Sequence, residues 1–332
     1  MPIITAPVVA PPDPGGPGGG TPIPLPDIGE ALAYYTDPTG TVWPLSSPSA
    51  GWFTLPDGVS GLGAAAYTLT TDPQPRGGGR LRHAQPQPRT IVWPLYIYGH
   101  NSHLEFVDRW RRLATAFTRT LRVGPDGRRT PGTLTIARPD GSARTVRVFY
   151  KEGFEGQGKK GSGLVSDVVA LALWCEDPYW QDAQPVTVHR EQSEGRDFLA
   201  PYPSVSSSQV LGDTVVTNPG DAVVWPEWRI TGPANLITFT HEDTGEEFIL
   251  DPSATGHGDL AAGEQVTVRT DPAQIRLQDG SPDGENWTSA LNWPEGVLWG
   301  LAPGPNRVRF ELGGSGPGSA VDLSFYPRYE TA

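Results

Sequence analysis

Turn chemistry interrupts this chain so often that it leaves room for little except short strands. Of its 332 residues, 41 are glycine and 36 are proline. Glycine supplies the positive φ that tight turns require, and proline fixes φ while removing a donor, so both end regular elements rather than extend them. Together they make up just under a quarter of the chain, a level at which order itself is in question when apolar residues are scarce. Here 31 aromatic residues are spread along the length, which is enough to build cores between the turns.

Residues 1–26 stand apart. They contain Pro11-Pro12-Asp13-Pro14-Gly15-Gly16-Pro17, have no apolar period and cannot bury enough surface to offset their own ordering entropy, which predicts a flexible arm. Beyond them, short apolar runs end in turn signals. Asp37-Pro38-Thr39-Gly40 precedes the strand run Thr41-Val42-Trp43, and Pro56-Asp57-Gly58 follows Trp52-Phe53-Thr54-Leu55. The glycines at 77–79, with Pro86 and Pro88, read as a loop. Residues 90–98 read as a strand from their β-branched and aromatic content, and Pro94 predicts an edge or a bulge. The clearest hairpin joins 132–137 to 144–150 through Pro139-Asp140-Gly141-Ser142, and 165–174 forms a further strand that runs into Glu176-Asp177-Pro178-Tyr179-Trp180.

One segment has a helical period. Phe106, Val107, Trp110, Leu113, Ala114 and Phe117 fall on one face, with Asp108, Arg109, Arg111 and Arg112 mostly opposite. Ser102 and Glu105 have capping-box spacing at its start. After a polar, Ser-rich passage the pattern returns to short strands, at 214–217, 223–230, 237–240, 247–250, 265–269, 275–278, 297–299, 307–311 and 321–326, with no helix among them. Strands in such number without a helix predict a β-sandwich. A chain of 332 residues also exceeds what one core usually serves. The expected organisation is an arm at 1–26, a domain of sheet and one helix at 27–190, a linker at 191–210 and a second β-sandwich at 211–332.

Charge follows the same division. Residues 1–190 carry 18 basic and 16 acidic side chains, and residues 191–332 carry 7 and 21. The acidic second half would repel nucleic acid and anionic lipid, so neither specific nucleic-acid binding nor membrane insertion is expected. Within the first half, residues 76–129 hold 11 basic against 3 acidic side chains, a patch able to face an acidic surface on a neighbour. Prolines 2, 7, 11 and 12, with no cation before Arg76, argue against a secretory leader, and the longest aliphatic runs fall short of a membrane span. These features suggest synthesis in a cytoplasm, and the 22 arginines against 3 lysines suggest a GC-rich host genome.

Motifs for chemistry are incomplete. Gly153 to Lys159 has the outline of a phosphate-binding loop, but Lys160 stands where Ser or Thr should hold magnesium and no helix follows. Asp279 to Glu285 begins like a calcium loop, but Ala290 occupies the place of the bidentate Glu. The six histidines lack metal spacing, Cys175 is the sole cysteine, and Glu246 with Glu247 would point to opposite faces of a strand. No Gly-x-Ser-x-Gly elbow is present. No catalytic, cofactor or metal residue is assigned. Trp225, Trp228, Trp287, Trp293 and Trp299 are either core residues or a sugar-stacking surface, and Trp287 and Trp293 are the residues assigned to such a carbohydrate site.

The order of the turn-flanked pieces resembles that of the siphophage distal tail protein family. The first half carries Asp37-Pro38-Thr39-Gly40, Pro88-Arg89-Thr90-Ile91, Pro131-Gly132-Thr133-Leu134-Thr135, Arg138-Pro139-Asp140-Gly141 and Glu176-Asp177-Pro178-Tyr179-Trp180. The second carries Asn218-Pro219-Gly220-Asp221, Trp225-Pro226-Glu227-Trp228, Thr244-Gly245-Glu246, Pro303-Gly304-Pro305-Asn306 and Arg328-Tyr329. The arm has no counterpart in that pattern. The resemblance implies a mainly β fold, with a ring-forming first domain that has one helix and a galectin-like or jelly-roll second domain. It implies a hexameric ring at the tip of a non-contractile tail, joining the tail tube, the tape measure protein and the baseplate hub, without catalysis or cofactor. The alternative expectation is a carbohydrate-binding receptor module of the tail tip.

Overall fold

The strands of the first unit take their inward residues from alternate positions and set one amphipathic helix against them. The structure is a computed structural model, and it describes residues 32–332 apart from 46, 101, 157–164, 193–208 and 282–283. The arm expected at 1–26 and most of the expected linker lie outside the described residues.

Six strands, β1 (Leu32–Thr36), β2 (Val42–Pro44), β3 (Trp52–Thr54), β4 (Tyr67–Pro73), β5 (Gly79–Pro86) and β6 (Arg89–Tyr98), precede α1 (His103–Thr118). Four more follow it, β7 (Gly132–Ala137), β8 (Ala143–Glu152), β9 (Ser166–Cys175) and β10 (Trp180–Asp182). They pair antiparallel in the order β2-β1-β7-β8-β9-β6-β3, with β10 beside β8 and β4-β5 forming a separate two-stranded sheet. The Ser102 hydroxyl accepts from the Glu105 amide at 3.2 Å, which satisfies one of the free donors at the start of α1. Phe106, Leu113 and Phe117 are buried as the helical period requires, and Ala116 joins them. Tyr35 of β1 stacks on Phe117 at 4.2 Å and donates its hydroxyl to the Ala116 carbonyl at 3.2 Å. Gly132 sits under that ring, where a Cβ would lie 2.4 Å from it.

Pro94 marks neither an edge strand nor a bulge. β6 lies inside the sheet, between β9 and β3. The Pro94 carbonyl accepts from Leu55, on the β3 side, and in an antiparallel strand the N and O of one residue point the same way. The missing donor therefore faces the place where β3 ends at Thr54, and no ladder bond is lost to β9.

The second unit is a sandwich of two antiparallel sheets. One contains β11 (Val186–Glu191), β13 (Glu227–Thr231), β16 (Gln265–Thr270), β17 (Ala273–Leu277), β18 (Glu285–Asn286) and β20 (Ala320–Phe325); the other contains β12 (Gln209–Asn218), β14 (Leu236–His241), β15 (Glu246–Leu250) and β19 (Gly304–Gly313). Trp228 centres the core, with Phe239 at 4.9 Å, Trp299 at 4.7 Å, Phe310 at 5.5 Å and Phe248 at 5.8 Å. A last strand, β21 (Arg328–Tyr329), leaves this sandwich and pairs with β10 of the first unit.

The stretch expected as a loop around glycines 77–79 and Pro86 contains the strand β5, and three other elements differ from expectation. Residues 297–299 are not a strand: Trp299 is buried and gives its indole N–H to the Phe239 carbonyl at 3.2 Å, so its apolar character serves a core-lining loop. The strand expected at 223–230 begins only at Glu227, after a single bridge from Val224 to Leu301. Residues 186–191, placed with the first domain as far as 190, pair with β20 of the second sandwich.

The turn at Asp37 shows how a short motif anchors the first unit. Asp37 is buried, and its carboxylate accepts from the Thr39 amide at 2.8 Å, the Thr39 hydroxyl at 2.5 Å, the Thr41 amide at 3.2 Å and the Trp43 indole at 3.3 Å. Arg119, just past α1, closes on it at 2.6 Å. Burial alone would push this carboxyl up, but the hydrogen bonds to its ionised form outweigh it and hold it below the ordinary carboxylate range. A depressed folded value contributes stability that is complete above the ordinary carboxylate range and is lost as pH falls through the folded value. Asp37→Asn should cost about 3 kcal/mol at neutral pH and weaken the dependence of stability on acidification, as measured by urea unfolding at neutral and acidic pH.

Candidate assembly interface

The hairpin of β4 and β5 is the feature most in need of a partner. Cross-strand register places Tyr67, Leu69 and Thr71 on one face with Pro86, Ala84 and Leu81, and sets Thr68, Thr70 and Asp72 on the other with Gln85, His83 and Arg80. The first face is apolar and open to solvent, with Leu69 60% and Leu81 55% exposed. Among the described residues no other strand pairs with either edge. An isolated two-stranded hairpin is marginal in water, and free edges invite pairing with another chain. Its turn runs through Gly77 and Gly78, both at positive φ.

Its root, by contrast, is fixed. Tyr67 donates its hydroxyl to the Glu330 carboxylate at 2.5 Å, the Ala65 amide donates to the same group at 3.2 Å, and Gln87 N–H bonds to the Ala66 carbonyl at 2.8 Å. The hairpin thus combines a fixed root with an apolar face that is open to solvent.

A second apolar surface lies on the outer face of the main sheet. Tyr96 packs against Phe53 at 5.3 Å and Tyr98 at 5.8 Å, and across the sheet Phe149 lies 6.2 Å from Trp174. Val168, opposite Tyr96, and Trp174, opposite Thr90, are exposed. Alternation sends the neighbouring residues Leu171, Leu173 and Cys175 into the core beneath α1. Beside Trp174 the surface turns basic, with Arg128, Arg129, Arg147 and Lys151 around a cleft of about 850 Å³.

The basic stretch at 76–129 is divided by the fold. Arg89 is buried and donates to the Gly61 and Gly63 carbonyls, Arg109 pairs with Glu105, Arg119 with Asp37 and Arg82 with Asp72. Arg89, Arg109 and Arg119 hold the unit together, whereas the pair of Arg82 with Asp72 is exposed on the hairpin, so Arg82 stays part of the surface.

The tryptophans of the second unit divide in the same way. Trp228, Trp287 and Trp299 are buried, whereas Trp225 is 46% and Trp293 78% exposed. Trp287 packs beneath His257 in the core and presents no face to a sugar, so the stacking pair assigned to Trp287 and Trp293 does not form. Among the described residues no cluster of three or more His, Cys, Asp or Glu side chains is arranged to hold a metal. Residues 157–160 of the phosphate-loop-like segment and residues 282–283 of the calcium-loop-like segment lie outside the described residues. Asp279 turns its carboxylate onto Ser281, and His241 is buried against Asn306 at 3.2 Å.

Comparison with solved structures bears on this arrangement. The SPP1 Dit (gp 19.1) protein, described as a paradigm of hub adsorption apparatus in Gram-positive infecting phages, matches with a TM-score of 0.59 and 15% identity over 90% of this chain and 99% of that one. Chains of the phage P2 baseplate in its activated conformation match with TM-scores of 0.53, at 11% identity in the calcium form and 12% in the strontium form, over 91% and 92% of this chain and all of theirs. The chain shares their fold. Coverage of that extent takes in both β units, so the likeness includes the succession of sheet unit and sandwich. No protein-family model and no curated protein matches the sequence.

Two measurements follow. Leu81→Asp should leave thermal stability nearly unchanged, since an exposed side chain is altered, but should reduce self-association by at least about tenfold, read by sedimentation. Cys175 is buried, and burial pushes its thiol up to about 12. It should resist thiol reagents in the native protein at mildly alkaline pH and react fully once the chain is denatured. Native labelling would mean that β9 opens.

Proposed function

We propose that this protein is a structural component of a bacteriophage tail, forming a hexameric ring at the distal end of a long non-contractile tail and joining the tail tube to the baseplate or tail-tip hub. The observation that carries the reading is the pair of dissimilar apolar surfaces on the first unit, the outward face of the β4-β5 hairpin and the aromatic outer face of the sheet. A cyclic assembly needs a heterologous contact in which one patch meets a different one, and it closes when the rotation per subunit divides a full turn. The hairpin of one copy laid across Tyr96, Val168 and Trp174 of the next supplies such a contact. The fold shared with the SPP1 and P2 tail proteins supports the same reading.

In this role the interfaces are the function, and neither catalysis nor a cofactor is required. The partners are copies of the chain, the tail tube protein, the tape measure protein and the hub, in a virion whose parts are made in the host cytoplasm. The acidic second sandwich stands outside the ring and keeps it soluble. Native mass spectrometry and electron microscopy of the purified protein test the reading. Six-copy rings are expected, alone or with tail tube protein added. A strictly monomeric particle at high concentration in both conditions would overturn it.

A further inference from the structure

Between the two units lies a cleft of about 580 Å³. Its lining pairs two outward aromatics, Trp225 at 46% and Tyr326 at 49% exposure, with Pro226, Pro272, Gln181 and Arg147. The other charges around it are largely spent on each other, Arg269 on Glu227 and Arg328 on Asp177, both at 2.7 Å. Arg147 makes no salt bridge among the described residues. Gln181, Thr270, Asp271 and Ser324 add polar groups, and between them the tryptophan, the tyrosine and the two prolines make the kind of aromatic wall on which proline-rich segments dock.

The chain carries such a segment. Nine of the residues 1–26 are prolines, among them the alternating Pro22, Pro24 and Pro26, and the first 31 residues hold Asp13, Asp27 and Glu30 but no Lys or Arg. At Pro22, Pro24 and Pro26 φ is already fixed, so ordering this alternating stretch costs less than ordering the glycine-rich part before it.

Register shows that the segment starts in the right place. Leu32 lies opposite Ala137, Ala137 opposite Ala143, and Ala143 accepts from the Ala183 amide. The start of β1 and the exit of β10 toward Pro185, which lines the cleft, are thus at the same end of the sheet, three strand spacings or roughly 14 Å apart. From Leu32 back to Pro26 an extended chain spans about 20 Å. Tethering at that distance gives an effective concentration on the order of millimolar, so weak contacts suffice for occupancy.

We infer that the proline-rich segment 1–26 docks in the cleft between the two units, its prolines laid on Trp225 and Tyr326 and Asp27 turned toward Arg147. Replacing Ile23 in the full chain with a photo-cross-linking phenylalanine analogue tests this. Irradiation should yield cross-linked peptides containing Trp225 or Tyr326, and the double variant Trp225→Ala, Tyr326→Ala should lower their yield about tenfold with thermal stability retained. A bridge within one copy and a bridge between copies both support the inference. Cross-links only elsewhere, or a yield indifferent to the two aromatics, overturn it. So does binding of a bacterial cell-wall polysaccharide that is lost in Trp225→Ala while no cross-link reaches the cleft. Because ring formation is read on the same samples by native mass spectrometry, loss of the cross-link with rings intact separates this inference from the ring reading.

Discussion

The junction at Glu330 governs how the pieces of this protein are held relative to one another. Its backbone N–H donates to Asp221 at 3.1 Å, its carbonyl accepts from Arg89 at 3.0 Å, and its carboxylate receives Tyr67 and the Ala65 amide. One residue near the end of the sequence thereby ties the second sandwich, the buried arginine at the head of β6 and the root of the exposed hairpin. Around it the strap is reinforced: Arg144 lies 3.8 Å over the Tyr329 ring, Arg328 pairs with Asp177 at 2.7 Å, and the Ala332 amide bonds to the Leu62 carbonyl at 2.9 Å. Gly220 packs so tightly on this strap that a Cβ would lie 2.5 Å from the Arg328 carbonyl oxygen. Surface ion pairs are individually weak, but here they are combined with backbone bonds and a cation–π contact in a partly buried network.

This junction gives the apolar hairpin its mechanical meaning. A flexible hairpin would lose entropy on docking, whereas one with a fixed root presents its apolar face already oriented. The same economy appears in the arginines, where Arg89, Arg109 and Arg119 spend their donors on carbonyls and carboxylates within the unit. Among the described residues, the sheet's outer aromatic face and the hairpin's apolar face are then the surfaces of the first unit left open to solvent.

Much of this was legible in residues. The spacing of Phe106, Leu113 and Phe117 and the Ser102 cap located α1, because a helix buries one stripe wherever it sits. The motifs at Asp37, Asp140, Asn218 and Asn306 are turn chemistry in sequence and in structure: Asp140 bonds to Ser142 within its own turn, Asn218 bridges the Ala222 and Leu301 carbonyls, and Asn306 holds the loop at Ala302. In sequence the β4-β5 hairpin looks like a loop, because its turn is a glycine tract and its few apolar residues face solvent rather than a core. Residues 297–299 have the pattern of a strand, because a run of apolar residues looks the same whether it lines a core as a loop or joins a ladder.

The sequence by itself determined the kinds of element, their order, the two cores and the acidic character of the second half, since these depend on local propensity, alternation and composition. Only the tertiary structure decided which tryptophans face water, that β11 crosses to the second sandwich, that β21 returns to the first, and that Arg89 is a buried tie while Arg147 is left free of salt bridges among the described residues. The physical reason is distance along the chain: periodicity reports what lies within a few residues, whereas the contact from Tyr67 to Glu330 spans 263 positions and has no signature in either segment alone.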